Sequence, residues 1–334
     1  MSSMKEHDDS SHRATLKSLL RYALGLGVLA LLLTCTEPIA VLSAFKDISL
    51  GDIALLGIIA FLLILVSVVK WRAFLLRLGI HSSLPRLLAL YLLGYFVNLL
   101  MPSVLGGDVV RSLYVGKRGD RAHSISATLL ERYTGLMAML LMAIVGVWWA
   151  PHVTPPIRVM VCALTLGAVF GSLLLFTRKT TWLLECVRVP EKIILLVRRI
   201  EDGLIAGMRD KQLVMWALML SVVFHALTVA NTAAAGWAIG WEDIPVGELI
   251  VVVPLILLAG AVPISPQGLG IQEGAFVFFL HALGCTTEQA LALALLLRAK
   301  SYVLALIGGM VWLFVRRTPM IAGDEAVGTP TGTG

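Results

Sequence analysis

Five stretches of the chain, residues 53–69, 87–107, 159–177, 212–241 and 249–272, contain no Lys, Arg, Asp or Glu. Each approaches or exceeds the run of about 20 apolar residues that one helix needs to cross a bilayer core. A helix on the surface of a soluble domain keeps a polar face, whereas runs this continuous predict helices surrounded by lipid. Further apolar runs near 20–36, 124–149 and 290–315 extend the series, so the expected fold is an all-α polytopic membrane protein. Composition agrees: 58% of the 334 residues are hydrophobic and 14% are charged, against about a quarter charged in soluble domains.

The charges sort by connector. Of 27 Lys and Arg, 22 fall in the N-terminal tail, the connectors at 70–86, 108–123 and 178–211, and Arg316-Arg317. The connectors at 34–52, 150–158, 241–248 and 284–288 hold only Lys46 and Arg158, beside several acids. The positive-inside bias puts the first group in the cytoplasm and the second outside, with both termini cytoplasmic. The net charge of +6 therefore acts as a topology label and gives no reason to expect nucleic acid as a partner.

This sorting does not allow every run to be a crossing. The flanks of 87–107 are both basic and those of 249–283 both acidic, so each of these segments begins and ends on one side, as a re-entrant helical hairpin does. The order becomes about six full spans, at 20–36, 53–69, 124–149, 158–177, 212–240 and 290–315, plus hairpins at 87–116 and 249–284. The second four elements are the first four inverted, a design that places substrate where broken helices meet near the midplane. The expected division is a cytoplasmic tail at 1–19, membrane repeats at 20–149 and 150–315, and a disordered cytoplasmic tail at 316–334. An interfacial helix at 182–208, opened by Pro190 and with Ile193, Ile194, Val197, Ile200 and Leu204 on one face, links the repeats.

The hairpins share a motif, P-x-x-L-G followed by a carboxylate: Pro102 to Gly106, Gly107 and Asp108, and Pro266 through Gly268 and Gly270 to Glu273. After each comes a helix with an internal base, Arg132 and Arg298, spaced 166 residues apart. The prolines are expected to stop the incoming half-helices, the glycines to permit the turns and Asp108 to cap the helix that Val109 begins. A half-helix that starts inside the membrane aims its free N–H groups, and the positive end of its dipole, at the site where an anion would bind. Asn98, just before the first turn, is expected to hydrogen-bond freed carbonyls.

Buried charge is the second signal. Glu131, Arg132, Arg298 and Lys300 lie inside spans, at about 2.5–3.5 kcal/mol each on the insertion scale. Adjacent helical residues do not face one another, so Glu131 cannot neutralise Arg132, and partners must come from Asp108, Arg111 and Glu273. The candidate binding set is Arg111, Arg132, Arg298 and Lys300 against Asp108, Glu131 and Glu273, a surplus of one cation. Such a cavity suits an anionic headgroup such as a phosphate. His225 and Asn231, in the uncharged run at 212–241, are expected to make interhelical hydrogen bonds.

Catalytic and metal residues are expected to be none. Cys35, Cys162, Cys186 and Cys285 are isolated, and Asp47 and Asp52 are too scattered for a transferase site. No cofactor is implied, and without a G-x-x-x-x-G-K-[ST] loop no ATP hydrolysis is expected.

Together, Asn98 to Pro102, Gly106-Gly107-Asp108 to Arg111, Glu131-Arg132 and Pro263 to Glu273 resemble the transmembrane region of lysylphosphatidylglycerol synthases and their stand-alone flippase-like relatives, over about residues 15–317. The resemblance implies an inner-membrane protein that moves a phospholipid or a lipid-linked headgroup, polyprenyl-phosphate or terpenoid, between leaflets. Membrane lipids are its expected partners; a homodimer and a separate lipid-synthesising enzyme stay open. The soluble aminoacyl-transferase domain of full synthases is absent, so no lysyl-lipid synthesis is expected. Gln272 stands where relatives often carry Arg. An accessory subunit of a lipid-modifying enzyme and a small-solute transporter are the alternatives.

Overall fold

A computed structural model describes residues 20, 22–34, 36–101, 106–116, 120–150, 154–176, 191–262 and 264–315. The expected tails, Pro102, and residues 182–190 with Pro190 lie outside the described residues. In chain order the helices are α1 Tyr22–Thr34, α2 Pro38–Ser43, α3 Leu50–Arg77, α4 Leu84–Leu100, α5 Gly106–Val115, α6 Arg121–Trp149 and α7 Pro155–Phe176. They continue as α8 Glu191–Arg209, α9 Lys211–Ala238, α10 Val246–Ala261, α11 Ile271–His281 and α12 Thr287–Val315. No strand occurs among the described residues. By length and composition α3, α6, α7, α9 and α12 suffice to cross a membrane, while α1, α4 and α10 are shorter apolar helices.

The boundaries follow local chemistry. Ser49 and Asp52 form a capping box that opens α3, and Asp210 accepts the Leu213 N–H at the start of α9. Both helices end on a glycine with positive φ, Gly79 and Gly240. In each case the residue after it donates back across the last turn, from Ile80 to the Leu75 carbonyl and from Trp241 to the Gly236 carbonyl, the usual left-handed termination.

Packing runs across the chain as well as along it. Helix α3 packs on α9, α4 on α12, and α6 on α10. At Gly308 the α12 backbone comes so close to the Leu92 carbonyl of α4 that a side chain would collide. One apolar cluster gathers the start of α3, the end of α6, α10, α11 and the start of α12; a second gathers the end of α3, the start of α4 and the start of α6. On α6 the polar residues Glu131, Arg132 and Thr134 fall between Leu130 of one cluster and Ala143 of the other. Helix α7 packs on α6 and leaves Val159, Leu166 and Phe170 exposed, an arrangement suited to lipid and a liability in water.

Helix α8 docks along α6. Its Gly203 and Gly207 lie against Ser126 and Leu130, and the Ser126 hydroxyl donates to the Ile200 carbonyl at 2.9 Å. The glycines remove side chains where the two helices meet, so part of the expected lipid face is used in packing.

Candidate functional site

The first hairpin is α4 followed by α5. Its helices approach closely because Gly107 carries no side chain: a Cβ there would run into the Gly94 carbonyl. Asn98 serves the turn differently from expectation. Its Oδ1 accepts the Gly107 N–H at 2.7 Å, satisfying a donor of the first helical turn where a freed carbonyl was expected. Asp108 differs too, since α5 begins at Gly106 and not at Val109. The carboxylate accepts from Arg111 Nε at 3.1 Å, and from Arg132 Nε and Nη2 at 2.8 and 2.9 Å. The second pair is a bidentate fork.

Arg111 is 1% exposed. Its guanidinium lies between the rings of Trp71 and Tyr91, 4.5 and 4.4 Å from their centroids, where the aromatic faces attract the cation. It also donates to Glu131 from α6. Tyr91 donates to the other Glu131 oxygen at 3.2 Å. Trp71 donates to Thr128 at 3.0 Å, and the Thr128 and Ser112 hydroxyls lie 2.7 Å apart. Glu131 and Arg132, adjacent on one helix, thus have separate partners, as the helical geometry requires.

The second hairpin is α10, a turn and α11. Helix α10 ends at Ala261, so Pro266 does not stop it; the proline instead opens a 3₁₀ turn, Pro266–Gly268. Gln267, Gly268 and Gly270 all have positive φ, at 50°, 66° and 77°, and Gln267 is the residue for which that conformation is strained. A Cβ on Gly268 would meet the Gly260 carbonyl oxygen at 2.5 Å, and one on Gly270 would run into Gly25 of α1. Helix α1 therefore lies across this tip. Glu273 accepts the Gly270 N–H at 2.7 Å and also binds Arg298. Arg298 further reaches the Gln267 carbonyl and Gln272 Oε1, both at 3.4 Å. Lys300 donates to Asn231 Oδ1 at 2.5 Å, and His225 meets the Gly135 carbonyl at 2.9 Å, two interhelical hydrogen bonds of the kind expected.

The seven expected site residues do not share one cavity. Asp108, Arg111, Glu131 and Arg132 form a packed cluster at the first hairpin. Glu273, Arg298 and Lys300 line a cavity of about 260 Å³ at the second, with Tyr95, Asn231, Gln267 and Gln272. The rest of its wall is mostly apolar, including Leu63, Val253, Phe276 and Leu304. Tyr91 of the cluster and Tyr95 of the cavity, one turn apart on α4, pack with ring centroids 6.1 Å apart.

Lys70 is the buried cation that sequence reasoning missed. Grouped by sequence with the cytoplasmic connector at 70–86, it lies inside α3, 4% exposed, and donates to Ser221 of α9 at 2.9 Å. A signal for it exists in the sequence: Trp71, Phe74 and Leu75 continue the apolar pattern past the lysine. Gly94 and Gly260 also escape the motif, although they are spaced 166 residues apart, as Arg132 and Arg298 are.

Comparison with known proteins agrees with this architecture. A UPF0104 membrane protein of the archaeon Methanothermobacter thermautotrophicus is 22% identical over 301 residues, covering 81% of this chain and 85% of the relative. Residues 18–309 match the lysylphosphatidylglycerol synthase TM region family. The chain, a polytopic membrane protein, belongs to the lysylphosphatidylglycerol synthase transmembrane-region family.

Proposed function

We propose that the protein is a lipid flippase or transporter without chemistry of its own, moving the headgroup of a phospholipid or a polyprenyl-phosphate or terpenoid lipid between leaflets of the inner membrane. The observation that carries this reading is the cavity at the second hairpin, where Arg298 and Lys300 stand among carboxamides on a wall otherwise shared with apolar side chains. Lys300 has an amide for a partner and, among the described residues, no carboxylate. A cation so placed favours an anionic head, while the apolar wall suits the adjoining part of the lipid. Arg132, with a half-exposed side chain, offers a second basic contact, and Arg111 with Glu131 holds that arginine's partner Asp108 in place.

Packing supports the inverted repeat on which the reading relies. Exchanging α3 with α9, α4 with α10, α5 with α11 and α6 with α12 turns several contact pairs into one another, although among the described residues α6–α9 has no comparable α3–α12 counterpart. The pair α4–α12 becomes α10–α6, α4–α5 becomes α10–α11, and α5–α6 becomes α11–α12; all are present. Hairpins opening from opposite sides would give the head alternate access to one path.

The test is reconstitution in liposomes with tail-labelled lipids and a membrane-impermeant reductant. Exchange faster than in protein-free vesicles, slowed in folded Arg298→Ala and Arg132→Ala variants, is expected. Exchange unchanged across a broad lipid panel overturns the reading.

A further inference from the structure

The second-hairpin cavity carries information about charge as well as shape, and the ligand class it selects rests on the proposed transport role. Arg298 is matched by Glu273. Lys300 is held by Asn231 Oδ1, an uncharged partner, so the lining is left with one positive charge. Around it stand three carboxamides, Asn231, Gln267 and Gln272, and the Tyr95 phenol. With the Asn231 oxygen taken by Lys300 and the Gln272 oxygen facing Arg298, both amides retain N–H donors, and Gln267 adds a donor and an acceptor of its own. The volume of about 260 Å³ falls below the roughly 300–1,000 Å³ of drug-sized ligand sites, room for a headgroup and not for acyl chains.

We infer that this cavity takes a monoanionic phosphodiester head whose outer part is uncharged and hydroxylated, and discriminates against heads that carry a cation or a second negative charge. One phosphodiester charge brings the buried site to neutrality, which a low-dielectric environment favours. A dianionic phosphomonoester overshoots and leaves a net negative site. A lysyl or choline group brings a second cation beside Lys300 and is repelled, and a quaternary ammonium has no N–H to donate to the carboxamides. Hydroxyl groups both donate and accept, as those carboxamides do. The lysyl head in the family's name is therefore disfavoured at this site.

The test uses the purified full chain in detergent. Tail-labelled phosphatidylglycerol is the probe, and unlabelled phosphatidylglycerol, phosphatidic acid, phosphatidylcholine and lysyl-phosphatidylglycerol compete with it. Phosphatidylglycerol is expected to compete at least about tenfold better than the other three, a ratio that Lys300→Arg keeps and Lys300→Gln removes. Equal competition by the lysyl or choline lipid in the wild type, or preference retained in folded Lys300→Gln, overturns the inference. If Lys300→Gln does not fold, the wild-type ranking decides. The same preparation in vesicles separates the two claims. Preference without leaflet exchange removes transport and leaves the ligand class standing, whereas exchange without preference removes the class alone.

Discussion

The two hairpins apply one plan to different ends. Each brings an incoming helix against an outgoing backbone through glycine, Gly94 with Gly107 and Gly260 with Gly268. Each sets a carboxylate in the first turn of its outgoing helix and pairs it with an arginine of the following long helix, Asp108 with Arg132 and Glu273 with Arg298. Around the first pair the protein adds Arg111 between two aromatic rings, with Glu131 behind it. Around the second it leaves a cavity and a lysine that, among the described residues, is bound only to an amide. The first site is filled by the protein's own countercharges, and the second leaves a charge for a ligand to complete.

The largest expected effect separates two of the carboxylates that hold arginines, Glu131 and Glu273. Glu131→Gln leaves Arg111 deeply buried with one charged partner fewer, and removing one member of such a pair costs about 3–5 kcal/mol. Glu273→Gln is expected to cost clearly less, because the cavity admits water or an anion beside Arg298. Thermal unfolding in detergent, followed by tryptophan fluorescence, measures both, and equal losses would erase the distinction. Next comes the shared backbone approach. Gly107→Ala and Gly268→Ala each force a methyl onto a carbonyl and should cost about 1–3 kcal/mol. Gly274→Ala, whose added carbon meets nothing nearer than Leu32 at 4.0 Å, should stay within about 0.5 kcal/mol of wild type. Smaller again, Arg132→Lys gives up the fork on Asp108, yet its half-exposed side chain limits the loss to about 1 kcal/mol or less. The smallest perturbation tests opposite openings: Arg121→Cys and Ala282→Cys should label from opposite sides of the membrane. Native Cys285 should stay silent at pH 8, because burial pushes its thiol up to about 12.

Much of this was legible in the sequence, for reasons specific to particular residues. Continuous apolar runs located the long helices, because a lipid-facing helix needs no polar stripe. The rule that neighbours on a helix do not face each other separated Glu131 from Arg132 and sent both to charged residues of the two hairpins for partners. What stayed hidden depends on contacts across space. Nothing in the order of residues places Trp71 and Tyr91 on either side of Arg111, or divides seven charges between a packed cluster and a cavity. Lys70 escapes because a lysine at the end of a charge-free run looks like a topology marker, although the apolar pattern passes beyond it. Gly203 and Gly207 allow α8 to dock on α6, and helical periodicity alone cannot tell a protein-facing stripe from a lipid-facing one.

An open, cationic site at the second hairpin and a filled one at the first should differ in their access to reagents from solution. With the four native cysteines replaced by serine, Ser301→Cys places a thiol in the wall of the cavity, and Ser112→Cys places one in the packed cluster, where Ser112 is 1% exposed. Rates of modification by a negatively and a positively charged methanethiosulfonate of similar size compare the two directly. Ser301→Cys is expected to react, faster with the anionic reagent, and Ser112→Cys to react with neither. Equal rates at both positions, or faster reaction of Ser301→Cys with the cationic reagent, would contradict that expectation.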